Sequence, residues 1–176
     1  MVGANDANQG YDYFERLASR TEVREDRKSG KISASDVSIT TGYPGIDSLL
    51  YHGGWARKEM VLLMGGPKAG KSTGLAQFGT NACVAGYDVL YVSLEVSDLV
   101  LADRIDASLS SVAMAELTDK SDEVRDEIEK LAGKAGKFIL HQFPTGSFTP
   151  KQLARLIEHY KARGIVLIWL LWTTVT

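Results

Sequence analysis

Residues Gly65-Gly66-Pro67-Lys68-Ala69-Gly70-Lys71-Ser72 fit the pattern G-x-x-x-x-G-K-[ST] at every fixed position. The chemistry this order of residue types serves is the holding of a polyphosphate. Glycines let the backbone curl until several N–H groups face one anion. A helix starting near Lys71 adds the positive end of its dipole and further unpaired N–H groups. Lys71 is then placed to reach β- and γ-phosphates, and Ser72 to offer its hydroxyl to Mg²⁺. The expected ligand is a nucleoside triphosphate, ATP with Mg²⁺. It is held by Gly65, Gly66, Pro67, Lys68, Ala69, Gly70, Lys71, Ser72 and the following Thr73, with Ser72 as the metal contact.

Such a loop requires a strand before it and a helix after it. Met60-Val61-Leu62-Leu63-Met64 is a continuous apolar run of strand length. It predicts a strand buried on both faces of a parallel sheet. After Lys71 the period changes: Leu75, Phe78, Gly79 and Ala82 share one helical face, and Gly86 sits where a helix stops. Val89-Leu90-Tyr91-Val92 predicts the next buried strand, and Phe138-Ile139-Leu140 a third. Ser97 caps a helix carrying Leu101, Ile105 and Leu109, and Ser121 one carrying Val124, Ile128 and Leu131. Thr149-Pro150 opens a helix through Leu153, Leu156, Ile157 and Tyr160 that ends at Gly164. Alternating strands and helices predict an α/β layered fold with a parallel sheet.

The 176 residues suffice for one domain with a sizeable core. Residues 1–36, rich in Gly, Asn, Asp and Ser, read as a flexible N-terminal arm, and 37–176 as the core. Tyr11, Tyr13, Phe14 and Leu17 read as a short apolar helical stripe in the arm. Its Arg24, Arg27, Lys28 and Lys31 are interleaved with Glu22, Glu25 and Asp26, as in a solvated linker. A net charge of -2 gives composition no vote for nucleic acid. A single cysteine, Cys83, fits a reducing, cytoplasmic setting and reads as a small apolar helix residue. The polar start shows no signal peptide, and no apolar run reaches the ~18 residues of a membrane span. His141 and His159 read as surface or strand-edge residues.

Around the phosphate loop the chain resembles the RecA-like branch of P-loop ATPases, which holds DnaB-type replicative helicases, RadA-like proteins and KaiC-like ATPases. Thr41-Gly42-Tyr43-Pro44-Gly45-Ile46-Asp47-Ser48-Leu49-Leu50 resembles the entry turn of that group, and Asp88 to Ser97, through Ser93-Leu94-Glu95, its second strand. Phe143-Pro144-Thr145-Gly146 and the helix to Gly164 are similar to phage and bacterial DnaB-like members. The resemblance spans residues 37–164. It implies a RecA-like fold and catalytic roles for Lys71 and for Glu95, the latter polarising the attacking water. An acid at the C-terminal edge of a parallel strand is where α/β ligand sites form, and such a carboxylate can orient water beside a γ-phosphate. Arg104 stands where relatives often carry an arginine, a candidate nucleotide or subunit contact.

The resemblance also implies a ring- or filament-forming homo-oligomer that acts on DNA in replication or recombination, with Mg-ATP as fuel. A KaiC-like regulatory ATP-binding module is the alternative, and a catalytically dead remnant a third reading. One departure bears on all three. The family places an aspartate at the end of the next strand, whereas Ile165 to Thr176 contains no acid. Read one base earlier, Trp172-Thr173 encodes aspartate, so the tail reads as a truncated or frameshifted form of that strand, incomplete at the C-terminus. Leu170, Leu171 and Trp172 are then expected to stay exposed.

Overall fold

The computed structural model describes residues 12–33, 38–131, 133–165 and 167–173, and for 168–173 the backbone alone. In chain order the elements are α1 (Leu17–Lys28), β1 (Ser38–Ile39), α2 (Pro44–Asp47), β2 (Trp55–Ala56), α3 (Lys71–Val84), β3 (Asp88–Ser93) and α4 (Asp98–Ser110). A 3-10 turn (Met114–Glu116), α5 (Ser121–Leu131), β4 (Phe138–Gln142), α6 (Pro150–Ala162) and β5 (Leu167–Thr173) follow. The fold class is the one expected, mixed α/β about a parallel sheet.

The sheet has the order β4–β3–β5, and β3 pairs in parallel on both sides. A strand flanked on both edges and covered on both faces must be apolar throughout, and Val89, Leu90, Tyr91 and Val92 are each 0% exposed. Their alternation divides the core. Val89 and Tyr91 pack with Ala76, Ala82 and Leu101 of α3 and α4. Leu90, Val92 and Leu94 pack with Phe148 and with Leu153, Leu156 and Ile157 of α6. The helices thus lie in two layers with the sheet between them.

Local signals set the helix ends. Gly86 follows α3 at φ 92° and Gly164 follows α6 at φ 75°, left-handed conformations that glycine adopts without strain. The Ser97 hydroxyl accepts from the Val100 amide, and Thr149 with Gln152 forms a full capping box ahead of Pro150. Ser121 is the first helical residue of α5 rather than the residue before it.

The expected strand Met60–Met64 is not in the sheet. The segment is irregular, with Met60 94%, Leu62 73% and Met64 80% exposed. Leu63 alone leans inward, so close that a Cβ on Gly74 of α3 would lie 3.3 Å from its Cδ2. A buried strand needs a neighbour on each edge, and no described strand lies beside this run. Its apolar character demands cover that this arrangement does not supply.

Ahead of it, a small antiparallel pair of β1 and β2 aligns Ser38 with Ala56 and Ile39 with Trp55. α1 buries none of its residues, and Phe14 before it is 83% exposed. The Leu170, Leu171 and Trp172 side chains lie outside the described residues.

Candidate nucleotide site

The loop from Gly65 to Gly70 is exposed along its whole length and curls tightly. Lys68 and Gly70 both take left-handed backbone, φ 60° and 82°. The Ala69 amide donates to the Gly66 carbonyl at 3.2 Å, and a Cβ on Gly65 would meet that of Ala69 at 3.1 Å. Gly70 is the cap of α3 and offers no side chain to it. The amides of Lys71, Ser72 and Thr73, in the first turn of α3, find no acceptor among the described residues. They form an open anion seat at the positive end of a helix of 14 residues.

Lys71 folds back over this seat. Its Nζ donates to the carbonyls of Gly65 at 2.9 Å and Gly66 at 3.0 Å. The ammonium is therefore stationed at the loop mouth, held by acceptors that an anion can replace. The Ser72 hydroxyl has no hydrogen bond among the described residues, so its oxygen is uncommitted.

Glu95 stands just past β3. Because α3 leads into β3 through a tight turn and runs against it, the start of α3 and the end of β3 lie at the same end of the sheet. One bond spans that end: the Tyr91 hydroxyl donates to the Ser72 carbonyl at 3.4 Å. Burial pushes the Tyr91 hydroxyl up to about 12, against the opposing pull of the nearby Arg104 charge, so it stays a neutral donor.

The Glu95 side chain is exposed and has no partner among the described residues. Its backbone is held firmly. Ser93 Oγ donates to the Val96 carbonyl at 2.6 Å and accepts from the Val96 and Glu95 amides at 3.0 and 3.4 Å. The ladder partner of Ser93 on β5 is Thr173, and that of Val92 is Trp172. The position where the family pattern expects an aspartate therefore lies alongside the end of β3, two to three residues before Glu95.

The entry turn braces the same layer. Asp47 accepts from Thr40 Oγ1 at 2.6 Å and the Thr41 amide at 2.8 Å. Burial raises its pKa, but these hydrogen bonds outweigh burial and hold the carboxyl below its ordinary value. Asn81 of α3 donates to the Thr41 carbonyl at 2.8 Å, tying the turn to the helix that begins at the phosphate loop. Sequence reasoning missed the Asn81 brace because its partners lie 40 residues apart in the chain.

Other candidates settle into structural places. The Cys83 thiol, half-buried in α3, donates to the Gly136 carbonyl at 3.1 Å. His141 on the edge strand β4 lies 2.6 Å from the Tyr160 hydroxyl and stacks on Phe143. No helix among the described residues is long and apolar enough to cross a membrane.

Residues 39–167 match the ATPase family described as KaiC. A DnaB-like replicative helicase of Enterobacteria phage T4 is 31% identical over 116 residues, covering 63% of this chain and 24% of that protein. A UPF0273 protein of Pyrococcus furiosus is 46% identical over 57 residues, covering 32% of this chain and 23% of that one. The chain thus spans about a quarter of the length of these relatives. A solved structure of a DnaB-like replicative helicase, described with its interactions with primase, superposes with a TM-score of 0.70 at 14% identity. It covers 96% of this chain and 40% of that one, a likeness of fold. The chain belongs to the KaiC-type ATPase family and is a RecA-like P-loop ATPase domain related to DnaB helicases.

Proposed function

We propose that the chain is the ATP-binding part of a DnaB/RecA-type DNA-dependent ATPase, a helicase acting in DNA replication or recombination. The observation that carries the nucleotide reading is the open amide seat at Lys71, Ser72 and Thr73 with the Lys71 ammonium already stationed over it. The likeness to the phage T4 helicase supports the DNA reading. In this proposal residues 37–176 form the ATPase portion and 1–36 an arm. The working form is a cytoplasmic ring or filament of identical subunits.

The loop amides from Gly65 to Thr73 cradle the phosphates, and Lys71 exchanges its two carbonyl acceptors for β- and γ-oxygens. The free Ser72 hydroxyl suits Mg²⁺, which when bound neutralises those oxygens. Glu95, unpaired at the same sheet end, accepts a proton from or orients the attacking water. Among residues 165–173 no acid stands beside Ser93 to order the metal's water shell, so turnover by this chain is slow. The family match favours a second reading, a KaiC-like regulatory ATP-binding module.

The test is ATP binding and single-turnover hydrolysis by the 176-residue chain, with and without single-stranded DNA. Binding that needs Mg²⁺, with hydrolysis raised by DNA and lost in Glu95→Gln, supports the proposal. Hydrolysis indifferent to DNA supports the regulatory module. Binding with no turnover at all leaves a nucleotide-holding remnant, and failure to bind ATP refutes every form of the reading.

A further inference from the structure

The loop between β4 and α6 reaches across the sheet to the turn that carries Glu95. The Phe143 amide donates to the Ser93 carbonyl at 2.9 Å, the last backbone rung between the two strands. The next residue, Pro144, has no N–H to continue the ladder. Instead Thr145 Oγ1 donates to the Leu94 carbonyl at 2.7 Å, across 51 residues of sequence. That carbonyl belongs to the peptide joining Leu94 to Glu95, so its donor sets the plane from which the Glu95 side chain departs.

The loop is built to present this hydroxyl. Pro144 to Ser147 form a turn in which the Ser147 amide donates to the Pro144 carbonyl at 3.0 Å and the Ser147 hydroxyl to the same carbonyl at 2.6 Å. Gly146 takes φ 76° in this turn, which puts Thr145 at its outer corner. Behind the turn, Phe148 is buried against Leu94 and stacks on Phe143 with ring centroids 4.1 Å apart. The Leu94 side chain is thus clamped from below while its carbonyl is held from above. From within, Ser93 fixes the Val96 end of the same turn. Thr145 itself is exposed, so the bond contributes little to burial; what it constrains is the direction of one peptide.

We propose that Thr145 is a positioning residue for Glu95, its hydroxyl on the Leu94 carbonyl fixing the orientation of the carboxylate toward the phosphate loop. The inference rests on the reading of Glu95 as the water-orienting acid. A misplacement of about 1 Å in such a group is enough to cost roughly 10²-fold in rate. Loss of the hydroxyl therefore lowers turnover and spares nucleotide binding, which is made by the other layer.

The experiment compares wild type, Thr145→Val, Thr145→Ser and Glu95→Gln in the 176-residue chain. One measurement is amide hydrogen exchange at Glu95 and Val96; the other is single-turnover hydrolysis beside ATP affinity. Thr145→Val is expected to speed exchange at those two amides about tenfold or more while the β3 amides stay protected. Turnover is expected to fall about 10- to 100-fold with Kd for ATP unchanged. Thr145→Ser, which keeps the hydroxyl, restores both. Unchanged exchange in Thr145→Val overturns the inference, as does faster exchange with unchanged turnover in a chain where Glu95→Gln is inactive. Glu95→Gln at the wild-type rate instead refutes the role given to Glu95, and a wild type without turnover leaves the nucleotide-holding remnant; in both cases the exchange arm still decides whether Thr145 holds the turn.

Discussion

Replacing Lys71 with methionine keeps the length of the side chain and removes its charge. In the structure Nζ makes two hydrogen bonds, to the carbonyls of Gly65 and Gly66. Bonds with a charged donor are worth roughly 1.5–3 kcal/mol each where they are not screened. Those two already exist before nucleotide arrives, so binding gains only the difference between a phosphate oxygen and a carbonyl. About half the gross value is a fair measure of that exchange, which sets the expected loss at about 1.5–3 kcal/mol, or roughly 10- to 150-fold in Kd for ATP. The loop is exposed, so the empty chain should lose under about 1 kcal/mol of stability and unfold at nearly the same denaturant concentration. Isothermal titration with ATP and AMP measures the effect. AMP lacks the β- and γ-phosphates, and its affinity should not change. An ATP affinity within about threefold of wild type, or an equal loss with AMP, refutes the role of Lys71.

Phe148→Ala should destabilise the chain by about 3–5 kcal/mol, since the ring is 8% exposed and stacked on Phe143; a lower urea midpoint at constant slope would show it. Asp47→Asn should cost about 1–3 kcal/mol by weakening the bonds from Thr40 and Thr41. The Asp47 carboxyl is held below its ordinary 3.8, so its stabilisation is present above that pH and lost as pH falls through the lowered value; Asp47→Asn should flatten this acid limb of urea midpoints. His141 is shifted in the same direction and also costs stability on acidification, but in a higher pH window. Burial, then the nearby His159, lower its pKa below 6.5, so the unfolded chain takes up the proton first. Stability should fall as pH drops below 6.5, and His141→Phe should remove that part of the slope between pH 7 and 5.

Much of the site is local and was therefore legible. The phosphate loop, the Ser97 and Thr149 caps and the glycine stops at Gly86 and Gly164 each depend on a few adjacent residues. Strand β3 was legible too, because its apolar run is bounded by turns and its alternate residues feed two helix layers. Met60–Met64 shows where this reasoning stops. An apolar run states that burial is favourable, but whether a neighbour stands beside it depends on the arrangement of other strands. The Thr145 bond to Leu94, the Asn81 bond to Thr41 and the return of Lys71 to its own loop leave no mark in composition or period. They join residues by shape, and only coordinates reveal them.

The two-faced character of β3 has a consequence for how such an ATPase can change. Val89 and Tyr91 look toward the layer that carries Lys71, while Leu90, Val92 and Leu94 look toward the layer that carries Phe148 and, through its loop, Thr145. With the roles proposed for Lys71 and Glu95, nucleotide affinity and the aim of the acid would be adjusted from opposite sides of one strand. Substitutions in α6 or its entry loop can alter turnover while leaving affinity alone, and substitutions along α3 can do the reverse. On those roles, affinity and turnover would diverge among relatives through changes to one layer alone, with the other layer left as it is.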